Sequence, residues 1–405
     1  MRLFDSLNRI QSVVLVIWAL MVITIPFHKV LSSPLLILSF LLILFSGDYA
    51  RKWEALRSGG RWVLFAALYL IAVFGYFLSE HTAEALRDLN IKLYILLIPV
   101  FFTLFGRVPR QAMVFILRLF VLACLLFGIV ALVLALYDYV TTGEAHFYYK
   151  YLVDFTFIHP SYIAMFMVFS MIILSEELIV QWSKMSMKRR LLYCAILLFF
   201  MLFVLLLTAK MAIASMFLAL TIAFIVWGKK HIGWRKTAMV AIMGNIVLFL
   251  AMMALPYTRQ RMVMLLHYNE VNYTNSVDSR EEIWKAAMQL GRSHMLTGVG
   301  SGDAQALLIE QYRINGFETG VREKYNAHSA YLQVYVETGL IGLLAFLAFF
   351  AALLYLAWRD GHVLWGAFLL LFMINIATES MFKTQSGVVF FSFFNALLGL
   401  HFRRK

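Results

Sequence analysis

Hydrophobic residues come in repeated runs of about twenty along the chain, the length that an α-helix needs to cross the ~30 Å hydrocarbon layer of a membrane. Short polar segments separate these runs. The pattern therefore predicts an all-α polytopic membrane protein with about twelve transmembrane helices, forming one integral membrane domain over residues 1–405. The predicted spans are Val13–Phe27, Pro34–Phe45, Trp62–Leu78, Leu93–Leu104, Met113–Leu136, Tyr162–Ile179, Leu191–Leu207, Met211–Trp227, Met239–Leu255, Leu332–Trp358, Val363–Ala377 and Val388–His401.

Composition excludes a soluble globular protein. The 405 residues are 62% hydrophobic and only 14% charged, whereas roughly 25% of the residues in ordinary soluble domains are charged. The two cysteines, Cys124 and Cys194, lie inside apolar runs. Because they have neither metal-ligand spacing nor a partner in a loop, we predict that they are packing residues within the membrane.

Basic residues are distributed unevenly between the two sides of the predicted spans. With the N-terminus placed inside, the inner segments carry twenty of the 35 Lys and Arg residues, and the short outer segments carry six. Cytoplasmic loops of membrane proteins are enriched in Lys and Arg in this way. We therefore expect both termini in the cytoplasm, and we attribute the net charge of +13 to orientation in the membrane and not to a nucleic-acid partner.

Two outer loops stand out. Residues 138–159 are rich in aromatic side chains, which suits a lid at the level of the lipid headgroups. Residues 256–331, between the ninth and tenth spans, form the longest polar stretch, and eight basic and eight acidic residues leave it neutral. We expect the active site in this long loop.

Arg280 lies at the predicted start of a helix in the long loop. The sequence Ser279-Arg280-Glu281-Glu282 has the spacing of a capping box, and the helix is expected to continue through Leu290 and to stop at Gly291. A guanidinium beside the free N–H groups of a helix start can bind phosphate. A salt bridge from Arg280 to Glu281 or Asp278 is the alternative.

Three alternating glycines follow this helix, in Leu296-Thr297-Gly298-Val299-Gly300-Ser301-Gly302. No Lys-Ser or Lys-Thr pair comes next and no strand-turn-helix unit encloses the segment, so it is neither a Walker loop nor a dinucleotide fingerprint. Gly298 and Gly300 either form a tight turn or let the backbone approach a ligand or another chain segment closely.

His328 closes the long loop just ahead of the tenth span. If the helix of that span extended back to it, His328, Tyr331, Leu332 and Tyr335 would share one face. A neutral imidazole at the membrane rim can act as a general base near neutral pH, although a single histidine can equally be structural. Asn326 and Tyr331 are its candidate supporting residues.

Lys210 lies where the seventh span turns directly into the eighth on the outer face. An ammonium group there either snorkels to the headgroups or awaits an anionic ligand. Together with Arg280 and His328 it suits a lipid-linked diphosphate leaving group and a hydroxyl acceptor. Since no His, Asp or Glu cluster has metal-ligand spacing, we expect cationic side chains, and no metal or other cofactor, to stabilise the leaving group.

The order of these features resembles the superfamily of O-antigen ligases, O-antigen polymerases and oligosaccharyltransferases. The matching features are a basic residue at a tight outer hairpin, Arg280 with Trp284 four residues on, Gly298-Val299-Gly300, and His328 ahead of Gly339-Leu340-Ile341-Gly342. The resemblance implies a GT-C-like glycosyltransferase of the bacterial inner membrane, with its active site on the periplasmic face.

The resemblance also implies an O-antigen ligase that moves a glycan from an undecaprenyl-diphosphate donor to a sugar hydroxyl of lipid A-core, with inversion and without a metal. Arg280 would contact the donor diphosphate, and His328 would activate the acceptor hydroxyl. Lys210 stands where the family usually has an Arg, and a Lys cannot make the bidentate fork of a guanidinium. His159, at the mouth of the sixth span, is a further candidate contact, with packing as its alternative.

Other functions fit parts of the pattern. An O-antigen or capsule polymerase would join lipid-linked repeat units, and a protein O-oligosaccharyltransferase would modify a protein. A transporter or flippase of a lipid-linked solute would have ionisable residues at the midplane of several spans, or paired helix breaks in two repeated halves. The sequence instead places its ionisable residues mainly at the ends of the predicted helices.

Overall fold

The computed structural model describes residues 7–28, 31–58, 60–208, 210–231 and 278–400, with isolated positions between 233 and 253. This part of the chain is helical and contains no β-strand. In chain order its α-helices are α1 (Arg9–Thr24), α2 (Ser32–Leu44), α3 (Tyr49–Arg57), α4 (Arg61–Phe77), α5 (Thr82–Phe105), α6 (Arg110–Thr142), α7 (Pro160–Gln181), α8 (Met187–Leu207), α9 (Lys210–His231), α10 (Asp278–Ser293), α11 (Ala304–Ile314), α12 (Glu318–Glu323), α13 (Ala330–Arg359), α14 (Val363–Asn375) and α15 (Gln385–Gly399).

These are the helices of a multi-pass membrane protein. Within the described ranges, α5, α6, α7 with the short turn after it, α8 and α13 are each long and apolar enough to cross a membrane. The bent pair α2 and α3, which meet at 111°, makes a sixth candidate if it counts as one span. The count of twelve and the GT-C-like topology stay predictions. The predicted ninth span, Met239–Leu255, lies largely outside the described residues.

The helix α5 begins eleven residues earlier than the predicted span Leu93–Leu104. Hydropathy places the boundary too late because Asp88 and Lys92 interrupt the apolar run. In the structure both side chains are buried and paired with each other. An ion pair of this kind lets charged residues lie on a buried helical face, which a count of apolar residues does not anticipate.

The centre of the bundle is built around α7 and α15, which are buried over most of their length. Aromatic rings fill the space between them. Phe390 lies 4.6 Å from Phe166 between ring centroids, and Phe394 lies 5.0 Å from Phe169. Such tilted and edge-to-face pairs are the favoured geometry of buried aromatic rings. These contacts hold the middle of α15 against α7.

The helices α10 to α12 form a small unit with its own apolar core. Ile283, Leu290, Leu308 and Tyr312 are buried against one another, and Val336 of α13 joins them. The unit also contacts the α4–α5 connection, where Asp303 accepts hydrogen bonds from the backbone N–H groups of residues 80 and 81. We call the end of the bundle on which this unit sits the site end.

A break in α13 holds the glycine loop, residues 298–302. At Gly339 the backbone has φ 64° and ψ −161°, which frees carbonyl groups in the preceding turn. The N–H of Val299 donates to the carbonyl of Val336 and the N–H of Gly300 to that of Glu337, each at 2.9 Å. A Cβ on Gly298 would lie 2.5 Å from the nitrogen of residue 338. The glycines thus permit a close approach to another chain segment.

Gly291 does not end its helix, contrary to the sequence prediction. The helix α10 continues to Ser293. The reason for a glycine here is packing, because a Cβ at this position would fall within 2.5 Å of the ring of Tyr335 on α13. Because Gly291 has no side chain, α10 packs directly against α13. This contact fixes the orientation of α10, the helix that carries Arg280.

Candidate functional site

The carboxylate of Glu379 is the centre of a polar cluster at the site end. Glu379 lies in the turn between α14 and α15, and its side chain is only 10% exposed. Its Oε1 atom accepts a hydrogen bond from Nη2 of Arg280 at 3.1 Å and one from Oγ of Ser161 at 3.2 Å. One buried carboxylate therefore joins the start of α10 to the start of α7.

Two imidazoles lie against the same carboxylate. Nδ1 of His328 is 3.8 Å from Oε2 of Glu379, and Nδ1 of His159 is 3.9 Å from Oε1. The Nδ1 atom of His159 accepts the backbone N–H of Ser161 at 3.3 Å, so the proton of its neutral ring is on Nε2. His328 thus lies beside one carboxylate oxygen of Glu379 and His159 beside the other.

The chain places His328 in a turn and not on a helix. Its φ of +43° is in the left-handed region, and its N–H donates to Oδ1 of Asn326 at 2.9 Å. The helix α13 begins only at Ala330. The prediction that His328 shares a helical face with Tyr331 is therefore wrong, because the helix starts two residues after His328. The N–H of Ser329 donates to Oγ of residue 380, which docks this turn beside Glu379.

Arg280 reaches the cluster from the first turn of α10. Its guanidinium forms an ion pair with Glu379, 99 positions away in the chain. The sequence offers local ion pairs to Glu281 or Asp278 as the alternative; the structure pairs Arg280 with the distant carboxylate, and the side chain of Asp278 lies outside the described residues. A guanidinium has five N–H donors, so this contact does not exhaust its capacity. The side chain is 28% exposed and remains accessible to an anionic ligand.

The charges of the cluster act on one another. Burial by itself raises the pKa of Glu379, but the adjacent His328 and the positive charges around the carboxylate outweigh it, so that the pKa lies below its ordinary value. Burial lowers the pKa of His159, and the nearby His328 and Arg280 lower it further. The negative charge of Glu379 raises this pKa, but by less than the other effects lower it. At neutral pH the carboxylate is therefore ionised and His159 is neutral.

The other predicted site residues lie at different places. Asn326 supports the His328 turn, as described above. Tyr331 is partly buried and packs against the core: its hydroxyl donates to the carbonyl of Met373 at 3.1 Å and its ring packs edge-on to Phe346. Gly298 and Gly300 lie in the loop that packs into the break in α13. Lys210 begins α9, but its side chain lies outside the described residues.

Glu379 is the residue that sequence reasoning missed. It is the single acidic residue after Asp360, in the short outer segment between the last two predicted spans. A lone carboxylate in an otherwise apolar stretch at the predicted outer face is a signal that could have identified it. Within the described residues, no group of three His, Cys, Asp or Glu side chains is spaced to hold a metal ion.

Comparison with known families agrees with the predicted resemblance. A family model described as O-antigen ligase matches residues 194–347 and supports the O-antigen ligase-like superfamily. The matched segment contains Lys210, Arg280, the glycine loop and His328, whereas Glu379 and His159 lie outside it. No curated protein matches the chain. At a coarse level, the family match implies a membrane glycosyltransferase-like enzyme.

Proposed function

We propose that this protein is an O-antigen ligase of the bacterial inner membrane. It transfers a glycan from undecaprenyl diphosphate to a sugar hydroxyl of lipid A-core at the periplasmic face, with inversion at the anomeric carbon and without a metal ion. The observation that carries the proposal is the pair of contacts to Glu379, which place a guanidinium and an imidazole on one buried carboxylate. A donor diphosphate and an acceptor hydroxyl need these two groups side by side.

The donor is bound through its diphosphate. Arg280 exchanges part of its contact with Glu379 for the phosphate oxygens, and Lys210, at the start of α9, supplies a second positive charge. Charge-assisted bonds from a guanidinium to phosphate are strong and directional. Because negative charge grows on the diphosphate as the anomeric bond breaks, these cations stabilise the transition state more than the bound substrate.

The acceptor is activated by His328. Its Nδ1 side faces Glu379, so Nε2 is left to take the proton of the acceptor hydroxyl. The hydroxyl oxygen forms a bond to the anomeric carbon, the bond from that carbon to the diphosphate breaks with its electron pair going to the diphosphate, and the proton passes to Nε2. Attack opposite the leaving group inverts the anomeric configuration. Glu379 then stabilises the imidazolium.

Reconstituted transfer tests the proposal. Purified protein in proteoliposomes is incubated with undecaprenyl-diphosphate-linked repeat unit and lipid A-core, and the product is measured by mass spectrometry. His328→Ala is expected to abolish transfer with no loss of folded protein. The matched control is His294→Ala, which replaces an exposed histidine in the turn just after α10 and is expected to keep wild-type activity. Equal activity of the two variants would exclude His328 as the base.

The acceptor is tested separately. Growth of the glycan chain without lipid A-core would show that the protein is a polymerase, which uses a second lipid-linked repeat unit as acceptor, and not a ligase. Movement of the lipid-linked glycan across the bilayer with no new glycosidic bond would show that it is a transporter. The chelator EDTA is expected to leave the rate unchanged, and loss of activity that added metal restores would contradict the metal-independent mechanism.

A further inference from the structure

Four buried charges form a closed ring beside the candidate site. Lys92 on α5 contacts Asp88 at 2.6 Å and Glu337 on α13 at 3.2 Å. Lys383, just before α15, contacts the same two carboxylates at 2.7 and 2.8 Å. Two cations and two anions therefore alternate, and the ring is electrically neutral. It joins three segments that are far apart in the chain.

The ring is well shielded from solvent. None of the four side chains is more than 20% exposed. Burial alone would lower the pKa of Lys383, but Glu337 and Asp88 raise it overall, so the ammonium stays charged. Removing four charges from water is costly, and buried ion pairs often add little net stability. A geometric role explains their presence better than a contribution to the free energy of folding.

One side chain connects the ring to the His328 turn. Nε2 of Gln333 donates to Oε1 of Glu337 at 2.8 Å, and Oε1 of Gln333 accepts the backbone N–H of Ala327 at 3.1 Å. Gln333 is 3% exposed and Ala327 is fully buried. Because Ala327 directly precedes His328, this chain of hydrogen bonds runs from the ring to the backbone that carries the imidazole.

The ring also lies next to the other half of the cluster. Lys383 is four residues after Glu379 in the same connection between α14 and α15. The contacts of Lys383 with Asp88 and Glu337 hold this connection against α5 and α13. The His328 turn is thus connected to the ring through Gln333, and Glu379 is connected to it through Lys383.

We propose that Gln333 and Glu337 are positioning residues that hold the His328 turn at the correct distance from Glu379. This inference rests on the proposed function, in which His328 is the base. Neither residue touches substrate; both act through the backbone at Ala327. Catalytic groups that are displaced by a fraction of an ångström lose much of their effect, so small changes in this link are expected to alter the chemical step.

The variant Gln333→Met tests the link. Methionine fills a similar volume but neither accepts the N–H of Ala327 nor donates to Glu337. We expect kcat to fall roughly 10- to 100-fold, with the donor KM within about twofold, since Arg280 is held by α10 and not by Gln333. Hydrogen–deuterium exchange at Ala327 is expected to accelerate, which reports the loosened turn without any need for activity.

Two further variants keep the test decisive if Gln333→Met is unstable. Glu337→Gln retains an oxygen acceptor for Gln333 and removes only the charge, so its exchange rate and kcat are expected to lie between those of wild type and Gln333→Met. Asp360→Asn breaks the ion pair of Arg61 with Asp360 outside the cluster, at 2.5 Å, and is the control for general destabilisation. It is expected to lower Tm and leave kcat unchanged.

The outcomes separate the two proposals. A normal kcat for Gln333→Met with accelerated exchange would overturn the positioning role, as would a fall in kcat no larger than that of Asp360→Asn at equal loss of Tm. Unchanged exchange at Ala327 would show that the link does not hold the turn. Absence of glycan transfer by the wild-type protein would instead overturn the proposed function, while the exchange rates would still report the link.

Discussion

Glu379→Gln removes the central charge of the cluster with almost no change in shape. The amide oxygen of Gln can still accept from Arg280 and Ser161, as Oε1 of Glu379 does. What is lost is the negative charge 3.8 Å from Nδ1 of His328. We expect a lower kcat with a donor KM that does not rise, because Arg280 is no longer engaged by a competing anion.

The size of the effect follows from the distance. At 3.8 Å a carboxylate and a full imidazolium interact by about 4 kcal/mol at an effective dielectric constant of about 20. In the transition state the ring of His328 carries only part of the positive charge, and about half of this energy, ~2 kcal/mol, is then lost. That corresponds to a decrease in kcat of roughly 30-fold.

Initial rates over a range of donor and acceptor concentrations measure kcat and both KM values in the proteoliposome assay. Glu310→Gln is the matched control, since it removes a carboxylate that is 51% exposed and paired with Arg313 on α11. Its kcat is expected to equal that of wild type. Thermal unfolding of both variants shows whether each remains folded at the assay temperature.

A kcat for Glu379→Gln within twofold of wild type would refute the electrostatic role of Glu379. A rise in donor KM at unchanged kcat would be equally damaging, because it would mean that Glu379 assists donor binding and does not compete with it. A wild-type kcat that rises as the pH falls through the folded pKa of Glu379, with Glu379→Gln fully active at neutral pH, would point to protonated Glu379 as the active form, contrary to its lowered pKa.

Three further results are expected. Lys210→Ala should lower donor turnover and Lys210→Arg should retain it; equal activity of the two in the transfer assay would leave Lys210 as a snorkelling residue. Gly298→Ala should lower the free energy of unfolding by about 2–4 kcal/mol, because φ is +71° and a Cβ would meet the backbone at 2.5 Å. The control Gly316→Ala, with the same φ and nothing within 4 Å, should lower it by only about 1 kcal/mol. Equal Tm values for the two variants would refute the packing argument. The lowered pKa of Glu379 means that its stabilisation is complete above the unfolded pKa of 4.5 and is lost as the pH falls through the folded value, so the Tm difference between wild type and Glu379→Gln should shrink from about pH 6 towards about pH 3 and should not grow.

Most of the helices could be predicted from hydropathy, because a membrane-spanning helix is specified by the length of its apolar run. Hydropathy places the start of α5 too late because Asp88 and Lys92 have the polarity of a loop, although they are buried in the ring of charges. Their partners Glu337 and Lys383 are more than 200 residues away, and nothing in the local sequence indicates such a pairing.

Part of the site could be predicted as well. The sequence predicts Arg280 and His328 as site residues from their positions at a helix start and a membrane rim. The structure brings both to Glu379, and their roles stay predictions. The sequence also predicts Tyr331 beside them, but its hydroxyl donates to the carbonyl of Met373. The difference arises because α13 begins after His328, which depends on the hydrogen bonds of the turn and not on helical periodicity.

The sequence by itself determined the class of the protein, since the free energy of burying apolar runs in lipid is a local property of each run. It also determined which residue types are available for the proposed phosphate binding and proton transfer. Only the tertiary structure decided that Glu379 joins Arg280 to His328, and that Gln333 ties the His328 turn to a ring of buried charges. The strength of these interactions depends on distances of a few ångströms between side chains remote in the chain, which the packing of the helices sets.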